Sequence, residues 1–117
     1  MKESNLSRKI KRELEGRGCR WVRVENQVGV GTPDVWVSCP SGVRGWLELK
    51  AWHHLTPEQK VWLVEERKVG GGSWVLVDRG EPRLFDGAAA INLDKHEPLA
   101  VGLKEIGNYF AGGGDEG

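Results

Sequence analysis

Two side chains in the stretch Leu47-Glu48-Leu49-Lys50 have the types and spacing to do chemistry. In an extended chain, residues two apart share a face, so the leucines claim a core and Glu48 and Lys50 share the other side. The carboxylate and the ammonium are then held roughly 6.6 Å apart along the strand. Asp34 opens the preceding extended stretch, directly behind Pro33, whose ring restricts the chain on entry. If the two stretches pair as a hairpin, the start of one lies beside the end of the other. Asp34 then meets Glu48 and Lys50 at one sheet edge. Two carboxylates offer hard oxygen ligands suited to Mg²⁺, which keeps several waters and takes few protein ligands. The backbone carbonyl of Leu49, between the two polar side chains, is a further candidate ligand. Such an ion lowers the pKa of water and stabilises charge on a phosphate, while a lysine orients the attacking water or stabilises the anionic transition state. The chemistry that fits is phosphodiester hydrolysis. Glu-Leu-Lys alone fits the solvent face of an ordinary strand equally well, so its surroundings decide.

The elements that must position these residues are legible in outline. Ser4 is placed to cap a first helix, in which Leu6, Ile10 and Leu14 recur at helical spacing until Gly16 and Gly18 end the run. Cys19 to Val24 reads as a strand, with Val22 and Val24 on one face and Trp21 and Arg23 on the other. A glycine-bearing loop, Gly29 to Thr32, leads through Pro33 into Asp34-Val35-Trp36-Val37, and the turn-forming stretch from Cys39 to Gly45 connects it to Trp46–Ala51. Thr56-Pro57-Glu58-Gln59 is a strong helix start, with Thr at the cap, Pro at the first helical position and Gln three after the cap. That helix runs to about Lys68 and stops at Gly70-Gly71-Gly72. Ser73–Val77 reads as a buried strand, Arg83-Leu84-Phe85 as an edge strand, and Leu99–Phe110 as a final helix. The expected fold is α/β, in the order helix-strand-strand-strand-helix-strand with a small C-terminal extension. Residues 1–111 form one domain with its core at about 3–78, and 112–117 a disordered tail.

Length and charge narrow the classes further. The 117 residues suit one compact domain. No apolar run approaches a membrane span, and a charged N-terminus argues against a secretory signal, so a cytoplasmic protein is expected. Cys19 and Cys39 read as reduced thiols, being too few and wrongly spaced for a zinc knuckle. Net charge is zero, yet residues 1–23 hold eight basic side chains against three acidic ones, a local +5. A positive end on an otherwise acidic protein attracts phosphates locally, and Lys9, Lys11 and Arg12 are the candidate DNA contacts. A merely solvated first helix would carry the same charges.

Gly31-Thr32-Pro33-Asp34, Leu47-Glu48-Leu49-Lys50 and Leu55-Thr56-Pro57-Glu58-Gln59, in this order, resemble the VRR-NUC branch of the PD-(D/E)XK nucleases, and Glu3-Ser4-x-Leu6 is similar to that branch's first motif. The resemblance runs from about Glu3 to Asp78. It implies a restriction-endonuclease-like core and a Mg²⁺-dependent endodeoxyribonuclease, with Mn²⁺ as a substitute. Asp34 and Glu48 would be metal ligands, Lys50 the catalytic lysine, with a glutamate on the first helix and Gln59 on the second. Stand-alone members resemble Holliday-junction resolvases, which act as homodimers. Branched DNA is therefore the expected substrate, read through shape because so short a chain has little surface for sequence readout. The alternatives are a nickase of other structured DNA within a larger complex, or a non-catalytic nucleic-acid-binding module on the same fold.

For the first-helix acid, Glu3 lies roughly 20° and Glu13 roughly 60° from the centre of the apolar stripe, and Glu15 points away. The Glu-Ser pattern favours Glu3, although an acid at a helix start is also favoured by the dipole alone. Gln59 completes a capping box whether or not it does anything else. His53 and His54, just past Lys50, read as solvated loop residues, with phosphate contact the minority role. Trp36, Trp46 and Trp52 fall on the active-site side by strand parity. Packing is the favoured reading for them, and stacking on a splayed base the alternative.

Overall fold

The computed structural model describes residues 5–24, 31–51 and 54–112, without the side chains of Leu6 and Arg79. Helix α1 (Asn5–Glu15) leads into strands β1 (Arg20–Arg23), β2 (Val35–Ser38) and β3 (Arg44–Lys50). Helix α2 (Pro57–Lys68) then crosses to β4 (Ser73–Arg79), which turns back into β5 (Glu81–Asp86). Two 3₁₀ turns (Gly87–Ile91 and Leu93–Lys95), the two-residue strand β6 (Ala100–Val101) and helix α3 (Leu103–Phe110) complete the chain. The strands lie side by side in chain order, and every neighbouring pair is antiparallel except β3 and β4. Parallel neighbours need a long crossover, and α2 supplies it.

Alternation along β3 divides the interior. Leu47 is fully buried among Ile10, Leu14, Val35, Val37, Trp74, Leu76, Leu84, Ile106 and Phe110, the layer formed with α1 and α3. The other face of the sheet packs Val75, Val77 and Phe85 against Leu63 of α2 and against Ala89, Ala90 and Leu93 from the 3₁₀ turns. Glu48 pairs in register with Val75, so the candidate site belongs to the α2 face. The hairpin is present as expected, with Val35 opposite Leu47 and Trp36 opposite Trp46. Truncating Leu47 to alanine would open a void in the first layer at a cost of about 2–5 kcal/mol.

Helix α2 is fixed at both ends. Thr56 Oγ1 accepts from the Gln59 amide at 3.1 Å, and Gln59 Oε1 accepts from the Thr56 amide at 2.9 Å, a complete capping box. Toward its C-terminus, Arg67 donates to the Ser73 carbonyl at 2.9 Å and to Asp86 at 3.1 Å. The buried Ser73 hydroxyl donates to the Leu63 carbonyl at 2.8 Å. Two close approaches require glycine. A Cβ on Gly45 would stand 2.3 Å from the Gly72 carbonyl oxygen, where β3 and β4 begin side by side, and one on Gly31 would stand 2.7 Å from the backbone of Glu58. Gly31 also has φ +88°, so the loop that delivers Asp34 is seated against the first turn of α2.

Three expectations need correction. The stretch 99–110 is not one helix: Ala100–Val101 pairs with β5, and the helix begins only at Leu103. Gly102, with φ +91°, breaks the periodicity between them. Arg83–Phe85 lies inside β5, which is not an edge strand because β6 covers it. Cys19 and Cys39 are joined as a disulfide, not free thiols. The register that sets Arg20 opposite Ser38 brings the next residues outward, Cys19 and Cys39, face to face with Cα atoms 4.1 Å apart. A separation of 20 residues in the sequence does not reveal that pairing. The expected cap Ser4 and the tail from 113 onward lie outside the described residues. Among the described residues, no helix is long and apolar enough to cross a membrane.

Candidate active site

Asp34 enters β2 behind the buried ring of Pro33, and its Oδ2 accepts from the backbone N–H of Leu49 at 3.0 Å. That bond ties the first carboxylate to the strand that carries the second. Glu48 is almost fully enclosed, its side chain only 3% exposed. One of its oxygens, Oε2, receives Gln59 Nε2 at 3.0 Å and faces Lys50 Nζ at 3.7 Å. The other, Oε1, is buried with no hydrogen-bond partner among the described residues. A buried carboxylate oxygen without a donor costs about 1–3 kcal/mol or more. Burial pushes the Glu48 carboxyl from the usual 4.5 up to about 8, and the negative charge of Asp34 adds to the rise. Lys50 and the Asp34 backbone act in the opposite direction without offsetting it.

This arrangement has the chemistry of a cation site. Two carboxylates converge, one has an oxygen turned to no donor among the described residues, and the charge of Asp34 raises the cost of charge on Glu48. A divalent ion would reverse that cost, and carboxylate oxygens are the donors that hard cations take. Among the described residues, no group of three or more His, Cys, Asp or Glu side chains is gathered to hold an ion. An ion held by two carboxylates would draw its remaining ligands from water and substrate.

Of the helix acids, Glu13 and Glu15 fall among the described residues. Glu13 is taken up by Arg17 at 2.8 Å, and Arg17 in turn donates to Asn108 of α3 at 2.9 Å, so Glu13 serves the contact between α1 and α3 on the opposite layer from Glu48. Glu3 lies outside the described residues, as do Trp52 and His53, while His54 is exposed. Gln59 makes two contacts at once: its amide oxygen closes the capping box and its amide nitrogen donates to Glu48. On α1, Lys9 and Arg12 line a groove of about 560 Å³ with Arg17, Glu13, Gly16 and Leu103, and Lys11 is not part of it.

Two features escaped the sequence reading. Trp62 of α2 completes an edge-to-face cluster, 5.9 Å from Trp46, which is itself 5.1 Å from Trp36. Its helical position showed no more than one apolar residue among several. The exposed Arg20 and Arg44 flank Ser38 on the same side of the sheet. Only the strand register shows that these two arginines, 24 positions apart, belong to one row.

No protein-family model and no curated protein matches the chain. Among solved structures, it is similar to Hjc of Archaeoglobus fulgidus, a Holliday junction resolvase from an archaeal hyperthermophile, with 23% identity and a TM-score of 0.52. The match covers 68% of this chain and 73% of that one. The six-stranded sheet with its helices thus has the restriction-endonuclease-like architecture that the motif order implied.

Proposed function

We propose that this chain is a Mg²⁺-dependent DNA endonuclease, of VRR-NUC type, that cuts branched DNA such as Holliday junctions as a homodimer. The observation that carries the reading is the enclosed Glu48, with one oxygen held by Gln59 and Lys50 and the other turned to no donor beside Asp34. A strand whose polar face was only solvated would have no reason to enclose a carboxylate so completely. The resolvase named above shares the fold, which makes branched DNA the first substrate to test.

When bound, the cation supplies Lewis acidity, drawing charge off the phosphate and making water a stronger acid. Asp34 and Glu48 would hold it, together with the Leu49 carbonyl, and Mn²⁺ would serve in its place. The Leu49 amide holds Asp34 in place, and Gln59 holds Glu48 through the same side chain that caps α2. Lys50 keeps its ammonium at the rim, 24% exposed, where it can meet a phosphate oxygen as negative charge builds in the transition state. Glu3 is the proposed third acid, acting from the start of the first helix. Incubating the purified protein with duplex, single-stranded, flap and four-way-junction DNA in Mg²⁺ or Mn²⁺ tests the reading. Cleavage of the junction in preference to the linear duplex is expected. No cleavage of any of the four would remove it.

A further inference from the structure

The face of the sheet that carries Asp34 and Glu48 is ordered in rows. Register places Trp46, Trp36 and Val22 opposite one another across β3, β2 and β1, and Arg44, Ser38 and Arg20 opposite one another two residues further on. Side chains two apart along a strand share a face, so the acids, the aromatic row and the basic row all lie on the α2 side. Consecutive rows are separated by about 7 Å. Along β3 alone, the side chains on this face are Lys50, Glu48, Trp46 and Arg44.

The rows nearest the edge are open. Helix α2 reaches Trp46 through Trp62, but Val22 on edge strand β1 is 38% exposed, and Trp36 is partly exposed beside it. Arg20 and Arg44 are exposed, and neither forms an ion pair or hydrogen bond among the described residues. An apolar, ring-bearing platform with exposed guanidinium groups on one side and the carboxylate cluster on the other matches the chemistry of a nucleic-acid strand. Aromatic faces take bases, and the arginines take backbone phosphates.

We propose that the row Val22, Trp36, Trp46 is a stacking platform for an unpaired base of the DNA strand being cut, with Arg20 and Arg44 each holding a backbone phosphate beyond it. The inference rests on the nuclease reading above and specifies its substrate: the cleaved bond lies within a few nucleotides of an unpaired base. The acid row and the arginine row are about 13 Å apart, no more than about four nucleotides of a strand that advances roughly 3.4 Å per nucleotide in helical form. A paired base is turned into its duplex and cannot reach the platform. At a branch point the base stack is interrupted, so a crossover base leaves its pair at lower cost than one inside a linear duplex. Charge favours this occupant over a second copy of the chain, because two exposed arginines at the rim attract an anionic strand.

The test uses the full chain in EDTA, so that binding is read without cleavage, with a labelled single-stranded 12-mer, its abasic counterpart and a four-way junction as probes. Trp36→Ala should weaken single-strand binding roughly 5- to 100-fold, the range for losing one stacked base, and Trp36→Phe should restore most of it. On the abasic strand, Trp36→Ala should cost little, because the partner of the ring is already absent. Arg20→Gln with Arg44→Gln should reduce the slope of log affinity against log salt by about 1.4, from two lost phosphate contacts on a single strand. These two residues are exposed, so this variant carries the test if Trp36→Ala fails to fold. Unchanged binding in both variants overturns the platform while leaving the nuclease reading intact. Conversion of a dimer to a monomer by Trp36→Ala, with unaltered DNA affinity per protomer, assigns the face to a second copy and also overturns it. Failure of the unaltered protein to bind any of the probes overturns both readings.

Discussion

Replacing Glu48 by glutamine should make the metal-free protein more stable in alkaline solution while removing its activity. The folded carboxyl holds its proton up to about pH 8, against 4.5 in the unfolded chain. The folded state therefore binds the proton more tightly. That stabilisation is complete below pH 4.5 and is lost as pH rises through 8. The difference of 3.5 pH units corresponds to about 5 kcal/mol at most by pH 9, at 1.36 kcal/mol per unit. Glutamine carries no such penalty, but its amide N–H₂ would replace the undonated Oε1 and leave a donor buried at a cost of about 1–3 kcal/mol. A net gain of about 2–4 kcal/mol is expected at pH 9. With an unfolding entropy of about 2.1 cal/mol/K per residue, it should appear as a Tm higher by roughly 8–16 °C in EDTA. At pH 5 the gain should vanish or turn into a small loss. Thermal melts of both proteins between pH 5 and 9 provide the comparison, and the difference between them removes the other titrating groups. A glutamine variant that melts below the parent at pH 9, or a Tm difference independent of pH, would refute the reasoning.

Cation binding should be coupled to the same proton. Below pH 8, Mg²⁺ displaces about one proton from the site, so its affinity should rise about tenfold between pH 6 and 7 and level off above 8. Calorimetry in two buffers of different ionisation heat counts the proton, and Glu48→Gln should release none. Exchanging Lys9, Lys11 and Arg12 together for glutamine should flatten the salt dependence of DNA binding by about two units on duplex arms. Two units are expected because only Lys9 and Arg12 share the groove with Arg17. An unchanged slope would mean that the helix is only solvated. Light scattering at micromolar concentration should report a dimer, and a monomer that still cuts junctions symmetrically would contradict the proposed geometry.

The parts of this molecule governed by local rules were legible in its residues. Alternation at Leu47-Glu48-Leu49-Lys50 placed the leucines in a core and the polar pair on the other face, and Thr56-Pro57-x-Gln59 placed the start of α2 to the residue. The pairing of β2 with β3 followed from the turn between them, and that pairing brings Asp34 to Glu48. Features that depend on register or burial were not legible. The alignment of Cys19 with Cys39, and of Arg20 with Arg44, exists only once β1 is laid beside β2. The strand β6 is two residues long, too short for any period, and its residues read as the beginning of a helix that Gly102 in fact delays. Nor did the sequence show how completely Glu48 would be enclosed, because a glutamine three after a Thr cap reads equally well as a cap and as a site residue.

In the proposed reaction, Asp34, Glu48 and Lys50 act together on a phosphodiester. The most direct measurement is single-turnover cleavage of a four-way junction in Mg²⁺ by the parent and by Asp34→Ala, Glu48→Ala and Lys50→Ala, each first shown to be folded. Both acid variants should show no cleavage and no Mg²⁺-induced rise in Tm. Lys50→Ala should lose at least about 100-fold in rate, the loss typical of one charge-stabilising group, while keeping the Mg²⁺-induced rise because lysine is not a ligand. Cleavage near the parent rate by either acid variant would contradict the central claim.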